Sequence, residues 1–433
     1  MREDIKSKRA ASKRAADGGV KVNKKEKILK RLRVFVAVIM ALFILSVAPL
    51  SIVVTQFNLN NAKVKDAIYS FEYKLLGLSD KRPNDTSPII SKSNYADEKV
   101  EVYFPDLKNY KNGDCSLVKV GDTEVLIDAG PNTDALEDIT DFLSRICTDG
   151  KIEYVIVTHA HIDHYSCFAT SGGIFSRFEI GTVIDFAQVT PTYDENGKNI
   201  RKNTKRYKKY QKELSAAVSR GTKHYTAKEA RESGNYEFKL SDTVTLKILD
   251  NKYYYEPDYV NLNTENNHSV CTMIKQKCTD GSYRNFLFTG DLQAEGEEYL
   301  VNNGELENVV LLKAPHHGSI TSSTPEFLAA VKPEIVCICC NMGGIKDEEL
   351  HNSFPTQTFI DRVSNYTARI YAPTTVLEHD DGSTIPYNGT ITVTSYKNIV
   401  RVKGDNHSRP ILESEWFKSN RKLPPDWKYM KAA

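Results

Sequence analysis

Short apolar runs broken by turn residues recur along most of this chain, and one long run stands apart from them. Residues 34–54 are twenty-one positions without a charge. At the helical rise they span ~31 Å, about one bilayer core. Residues 62–77 carry Val64, Ile68, Phe71 and Leu75 on one helical face, which suits a stalk or a helix packed on a domain. Residues 81–98 are polar, hold Pro83 and Pro88, and read as a linker. From Val100 the pattern becomes strands alternating with helices. Strand-like runs fall at 100–104, 116–120, 124–127, 154–157, 182–186, 244–249, 270–274, 285–288, 309–312, 335–339, 368–371 and 390–394. Asn132 or Thr133 can cap a helix to Cys147, with Ile139, Phe142, Leu143 and Ile146 on one face. Further helices are expected at 204–219, 292–302, 324–331 and 355–364. The class is α/β, with no internal repeat.

Charge gives the long run a direction. Residues 1–33 hold thirteen Lys and Arg against four acids, a net of +9. Basic flanks stay in the cytoplasm, so the spacing predicts an uncleaved anchor with everything after 55 outside the cell. A cleaved signal would carry a shorter apolar core, and Pro49 after Ser46-Val47-Ala48 blocks cleavage there. Without the tail the chain goes from +2 to −7, which excludes broad nucleic-acid affinity driven by overall charge. The eight cysteines, Cys115, Cys147, Cys167, Cys271, Cys278, Cys337, Cys339 and Cys340, show neither a disulfide framework nor zinc-finger spacing. They read as small core residues.

The candidate chemistry sits where strands end. The run 154–157 leads into His159-Ala160-His161-Ile162-Asp163-His164, three of the chain's ten histidines within six residues. Imidazole and carboxylate are the usual ligands of zinc and similar ions. His159 and His161, two apart, can reach one ion, and Asp163 and His164 face a second position. His268 opens a later strand, Asp291 closes the next in Thr289-Gly290-Asp291, and His316-His317-Gly318-Ser319 follows the run 309–312.

The hexapeptide is the HxHxDH motif, and the chain resembles the metallo-β-lactamase superfamily there. Gly113-Asp114, LIDAG at 126–130, NNxS at 266–269, TGD at 289–291, PHHGS at 315–319 and the strand 389–395 resemble in particular the extracellular domain of ComEC-type competence proteins, over roughly 100–402. The chain departs from ComEC in having one membrane-length segment instead of a multi-helix channel, and in having both His159 and His268. The HS…TGD arrangement also resembles RNA-processing nucleases. The motif order and long insert resemble surface phosphorylcholine esterases that trim teichoic acids.

The resemblance implies an αββα sandwich over 99–403, after a basic cytoplasmic tail at 1–33, the anchor at 34–54 and a stalk and linker at 55–98, and before a C-terminal extension at 404–433. It implies two divalent ions, zinc or manganese. One would take His159, His161 and His268. The other would take Asp163, His164 and one of His316 or His317, with His317, next to glycine, the better fit. Asp291 would bridge, Asp163 and Asp291 would be the catalytic carboxylates, and Asp128 would fix the loop. The nucleophile would be a metal-bridged water. The function implied is a membrane-anchored, outward-facing phosphodiesterase or nuclease. A teichoic-acid or phosphorylcholine esterase is one alternative, and a module binding DNA or wall polymer through structural metals is another.

The insert between Asp194 and Asn263 is expected to decide the substrate. Residues 198–212 hold Lys198, Arg201, Lys202, Lys205, Arg206, Lys208, Lys209 and Lys212 with Tyr207 and Tyr210 among them and no acid. That composition suits either an anionic polymer, nucleic acid or teichoic acid, or one solvated helix face. Tyr253, Tyr254, Tyr255 and Tyr259 wall the site or edge the core. His351 and His379 fall on expected loops, either within reach of substrate or in solvent. His224 and His407 carry no signal.

Overall fold

The computed structural model describes residues 87–108, 112–186, 204–255, 262–342, 354–375 and 387–423. The described residues all fall within the compact unit Thr86–Ala433. The tail, the segment 34–54 and the helix expected at 62–77 lie outside the described residues. Within those residues no helix is long and apolar enough to cross a membrane.

In chain order this unit comprises β1 (Ile89–Phe104), β2 (Cys115–Val120), β3 (Thr123–Ala129), α1 (Leu136–Ile146), β4 (Lys151–Val157), α2 (Ile162–Tyr165), α3 (Ile174–Arg177), β5 (Glu179–Asp185), α4 (Thr204–Ser219), β6 (Lys223–Thr226), α5 (Ala227–Glu232), β7 (Glu237–Lys239), β8 (Val244–Ile248), β9 (Thr272–Lys277), β10 (Tyr283–Phe288), α6 (Ala294–Asn302), β11 (Leu311–Lys313), α7 (Pro325–Val331), β12 (Ile335–Cys337), β13 (Asn341–Met342), α8 (Gln357–Val363), β14 (Ile370–Tyr371), β15 (Thr374–Thr375), β16 (Ile391–Gly404) and α9 (Glu415–Asn420). One seven-stranded sheet runs β16-β1-β2-β3-β4-β5-β6, and a second runs β14-β12-β11-β10-β9-β8-β7. Each is antiparallel in one half and parallel in the other. The parallel halves are β3 to β6 and β10 to β14.

Alternation along the strands builds two cores. Phe286, Phe288, Leu311 and Ile335 join Val102, Val118, Val125, Ile156 and Ile184 between the sheets. Leu287, Leu312 and Val336 point the other way, onto Leu300 of α6, Phe327 and Leu328 of α7, Phe359 of α8 and Trp416 and Phe417 of α9. In β3 every residue from Glu124 to Ala129 is buried, so that strand is covered on both faces. This is a mixed α/β fold built on two seven-stranded sheets.

The boundaries differ from the sequence reading at both ends. The expected linker 81–98 is strand from Ile89, which pairs with Arg401 of β16. Residues 91–99 carry no apolar alternation, and only the partner strand specifies them. The expected extension after 404 buries Ile411, Trp416 and Phe417 in the second core and belongs to this unit. The short β6, α5 and β7 had no apolar signal.

One buried carboxyl ties the helical layer together. Glu297 of α6 accepts from the backbone N–H of Ser323 (2.6 Å) and Thr324 (2.8 Å), the residues that open α7. Burial pushes this carboxyl up to about 7 despite those donors. A carboxyl raised by folding contributes stability that is full below its unfolded value and lost as pH rises through its folded one. Wild type is therefore expected to lose roughly 2 kcal/mol of stability relative to Glu297→Gln between about pH 5 and pH 8. Parallel urea unfolding curves of the two proteins measure this; a difference independent of pH would refute it.

Candidate metal centre

Every expected ligand in the described residues lies at the end of the sandwich where parallel strands finish and loops meet. Asp128, the last but one residue of β3, has a φ of +60°. Asp128 Oδ1 accepts from Thr158 N (2.8 Å), and Oδ2 accepts from Thr158 Oγ1 (2.7 Å) and contacts His164 Nδ1 (2.8 Å). It thus fixes the end of β4 and one imidazole together. α2 begins just after His161 and raises Asp163 and His164 on a single turn. Two glycines let neighbouring loops close on that turn. A Cβ on Gly130 would stand 1.6 Å from the Asp163 carbonyl oxygen, and one on Gly113 would stand 2.6 Å from it. That same carbonyl accepts from Asp114 N (3.0 Å).

Asp291 is the hub. Its Oδ2 lies 3.1 Å from His164 Nε2, 3.3 Å from His317 Nε2 and 3.9 Å from His316 Nε2. His317 Nε2 is also 3.3 Å from Asp163 Oδ2, while its Nδ1 bonds the Cys339 carbonyl (2.8 Å) beside Asp114 Oδ1 (3.2 Å). On the other side of His164, whose ring centre is 4.2 Å from that of His159, His159 Nε2 stands 3.1 Å from His161 Nδ1. His268 ends the 3-10 turn Leu262–His268, is buried, and packs 5.4 Å from the Tyr253 ring. Ser269 Oγ lies 3.4 Å from His159 Nδ1 and accepts from Asp291 N (3.1 Å). Glu265 Oε1 accepts from Ala160 N (3.0 Å), which ties this turn to the hexapeptide. His316 turns aside, with Nδ1 2.7 Å from Thr321 Oγ1 and Nε2 3.4 Å from the Asn266 side-chain nitrogen.

Ligand atoms of Asp114, His164, Asp291 and His317 all fall within 4.8 Å of one another. His317, and not His316, takes part in that group. Four of its buried atoms, His164 Nε2, His317 Nε2, Asp291 Oδ1 and Asp114 Oδ1, make no hydrogen bond. The two imidazole nitrogens face Asp291 Oδ2 without bonding it, an arrangement that fits a divalent ion, and imidazole with carboxylate suits zinc or manganese. The charges agree. Burial alone would lower His164 and His317, but the carboxylates of Asp291 and Asp114, joined at His164 by Asp128, hold both well above the usual imidazole range. Burial would raise Asp291, yet His164 and His317 hold it well below the usual carboxylate range. A metal ion binding there would release those protons. His159 is held neutral by burial and by His164 and His161, and burial pushes His316 down to about 4. Both can offer a lone pair.

Sequence reasoning missed two members of this centre. Asp114 was quoted only as part of a motif. Lys313 was passed over at the end of β11, although a lysine ending a buried apolar strand must find oxygen partners. Lys313 is buried, bonds Asp114 Oδ2 and the Gly290 carbonyl (3.1 Å), and lies 3.7 Å from Asp291 Oδ1. Asp114 and Asp291 outweigh its burial and keep it protonated.

The insert folds in part as expected. α4 exposes Lys205, Arg206, Lys208, Lys209 and Lys212 and buries Tyr207, Tyr210, Leu214 and Ala217. Tyr210 donates to Asp185 Oδ2 (2.8 Å) at the end of β5, and His224 meets the other oxygen (2.9 Å). These tyrosines are packing, not a stacking platform. Tyr253 and Tyr254 are buried and Tyr255 is exposed. Lys198, Arg201, Lys202, Tyr259, His351 and His379 lie outside the described residues. All eight cysteines are buried thiols.

The family model of the metallo-beta-lactamase superfamily matches residues 110–170, the stretch from the Asp114 loop through the hexapeptide. ComE operon protein 3 of Bacillus subtilis (strain 168) is 28% identical over 173 residues, 40% of this chain. The match spans 19% of that relative's length. Among solved structures, the metallo-beta-lactamase fold protein YhfI of Bacillus subtilis aligns over 69% of this chain and all of its own, at 11% identity and a TM-score of 0.36. An isothiocyanate hydrolase from Delia radicum gut bacteria aligns over 66% of this chain and 99% of its own, at 11% identity and a TM-score of 0.33.

Proposed function

We propose that this chain is a metal-dependent hydrolase of phosphodiesters, anchored by residues 34–54 and facing outward, with an anionic polymer, nucleic acid or teichoic acid, as substrate. The observation that carries the chemistry is the convergence on Asp291 Oδ2 of two imidazole nitrogens at 3.1 and 3.3 Å. Across His164, His159 and His161 present a second pair 3.1 Å apart. His159, His161 and His268 would hold one ion, Asp163, His164 and His317 the other, and Asp291 both. Bound there, two divalent ions would supply a water deprotonated near neutral pH and would neutralise charge on a developing phosphorane. The chain's own part is positional. Asp128 sets the His164 ring through Nδ1, the Cys339 carbonyl sets the His317 ring through its Nδ1, and His316, kept neutral by burial that pushes it down to about 4, stands beside them.

The exposed basic face of α4 favours a polyanion over a neutral substrate. The resemblance of the motifs to the ComEC-type competence domain supports nucleic acid, while trimming of wall teichoic acid stays the competing activity on the same site. In the test, the protein is stripped with a chelator and assayed on DNA, RNA, a small phosphodiester dye ester and a phosphorylcholine ester. Activity is expected on the dye ester and on one polymer, lost on stripping and restored by zinc or manganese. Turnover that survives complete metal removal would end the proposal.

A further inference from the structure

The lysine buried among these carboxylates has a role in the centre. Lys313 leaves β11 one strand position from Cys337 of β12, and its side chain runs inward between the sheets, 2% exposed. Its ammonium has three oxygen neighbours: Asp114 Oδ2, the Gly290 carbonyl at 3.1 Å and Asp291 Oδ1 at 3.7 Å. Asp291 therefore has two unlike oxygens. Oδ1 faces the ammonium, and Oδ2 faces His164 and His317. Asp114 is divided in the same way, with Oδ2 on the ammonium and Oδ1 3.2 Å from His317 Nδ1.

We infer that Lys313 is a resident cation of the centre: it withholds Asp114 from the divalent ions and restricts Asp291 to offering them a single oxygen, Oδ2. The inference rests on the metal reading above and adds to it the identity of the carboxylates that are kept out. Distance alone would count Asp114 as a fourth ligand, since its oxygens lie in the same cluster. The contacts argue otherwise: Oδ2 meets the ammonium, and Oδ1 lies at the Nδ1 edge of His317, not at the Nε2 edge that faces Asp291 Oδ2. Asp114 is then a positioning residue, holding His317 by its Nδ1 edge while Nε2 points at Asp291. Lys313 is likewise a positioning residue, acting through the two aspartates.

A lysine that only fills the core and a lysine that repels the ions predict opposite signs. Removing a filler loosens the fold and weakens metal binding. Removing a resident cation frees Asp114, deletes a repulsion and tightens metal binding. The experiment uses the full chain in detergent, titrated with zinc against a competing chelator. Lys313→Met is expected to tighten zinc by at least about tenfold, a floor set well below the bare repulsion between a unit charge and a divalent ion a few ångström apart at an effective dielectric of about 20. Asp114→Asn, which leaves the ammonium uncompensated, is expected to weaken zinc by a similar factor. The double variant restores local neutrality and is expected to return close to wild type, which a filler role would not produce. If Lys313→Met fails to fold, Lys313→Gln, which keeps a donor for the Gly290 carbonyl, carries the same expected sign. Unchanged or weaker zinc binding in a folded Lys313 variant overturns the inference while leaving the metal reading in place. No zinc binding by wild type overturns the metal reading and this inference with it.

Discussion

Asp291→Ala is expected to abolish metal retention and to cut hydrolysis of a small phosphodiester by at least about a thousandfold, since bound metals contribute several kcal/mol of charge stabilisation and each 1.4 kcal/mol is about tenfold. The argument rests on what Oδ2 touches. It lies against His164 Nε2, His317 Nε2 and, farther off, His316 Nε2, so its loss removes the anion common to both proposed metal positions. It also removes the first of the charges that raise His164 and His317. Lys313 would keep only Asp114 as a counter-charge. Zinc content by elemental analysis and dye-ester turnover are the measurements. Asp291→Asn, nearly the same shape, separates charge from packing and should lose metal while keeping the wild-type melting temperature. Full metal content and turnover in Asp291→Asn would remove Asp291 from the centre.

The parts of the site that were legible in the sequence were those whose ligands come close together along the chain. His159, His161, Asp163 and His164 declare themselves by density, and His268, Asp291 and His317 by each standing at an end of an apolar strand. Asp114 and Lys313 were not legible, because each is a single charge whose meaning depends on the other, 199 positions away, and on strands that meet only in the folded sheet. The strand pattern was readable from Val100, where one face is apolar. The first part of β1 was not, because its burial alternates between exposed and half-buried with Ala96 alone fully buried, and pairing with β16 supplies the order. Tyr207 and Tyr210 were ambiguous for a related reason. Aromatics three apart among lysines suit either a base-stacking platform or the packing edge of an amphipathic helix. Burial and the bond to Asp185 decide for packing.

That decision sharpens what the basic helix can do. With the tyrosines inward, α4 is a fixed ridge, and its five described cations stand in solvent. The ridge is held by Asp185, which lies in register with Val157, the last residue of the strand that leads to the hexapeptide. Positive charge is therefore anchored one strand from the proposed centre, on a chain that is otherwise net acidic beyond its tail. Replacing Lys205, Arg206, Lys208 and Lys209 with Gln leaves that docking untouched. If these side chains neutralise phosphates, the slope of log affinity against log salt for a single-stranded polymer should shrink by about 3, four contacts at ~0.7 each. KM for the polymer should rise at low salt and converge on wild type at high salt, where screening removes the contribution from both. Turnover of the small dye ester should be unchanged, because nothing at Asp291, His164 or His317 has moved. Polymer cleavage with an unaltered KM and salt slope in this variant would reduce the ridge to a solvated helix face and remove the support it gives to a polyanionic substrate.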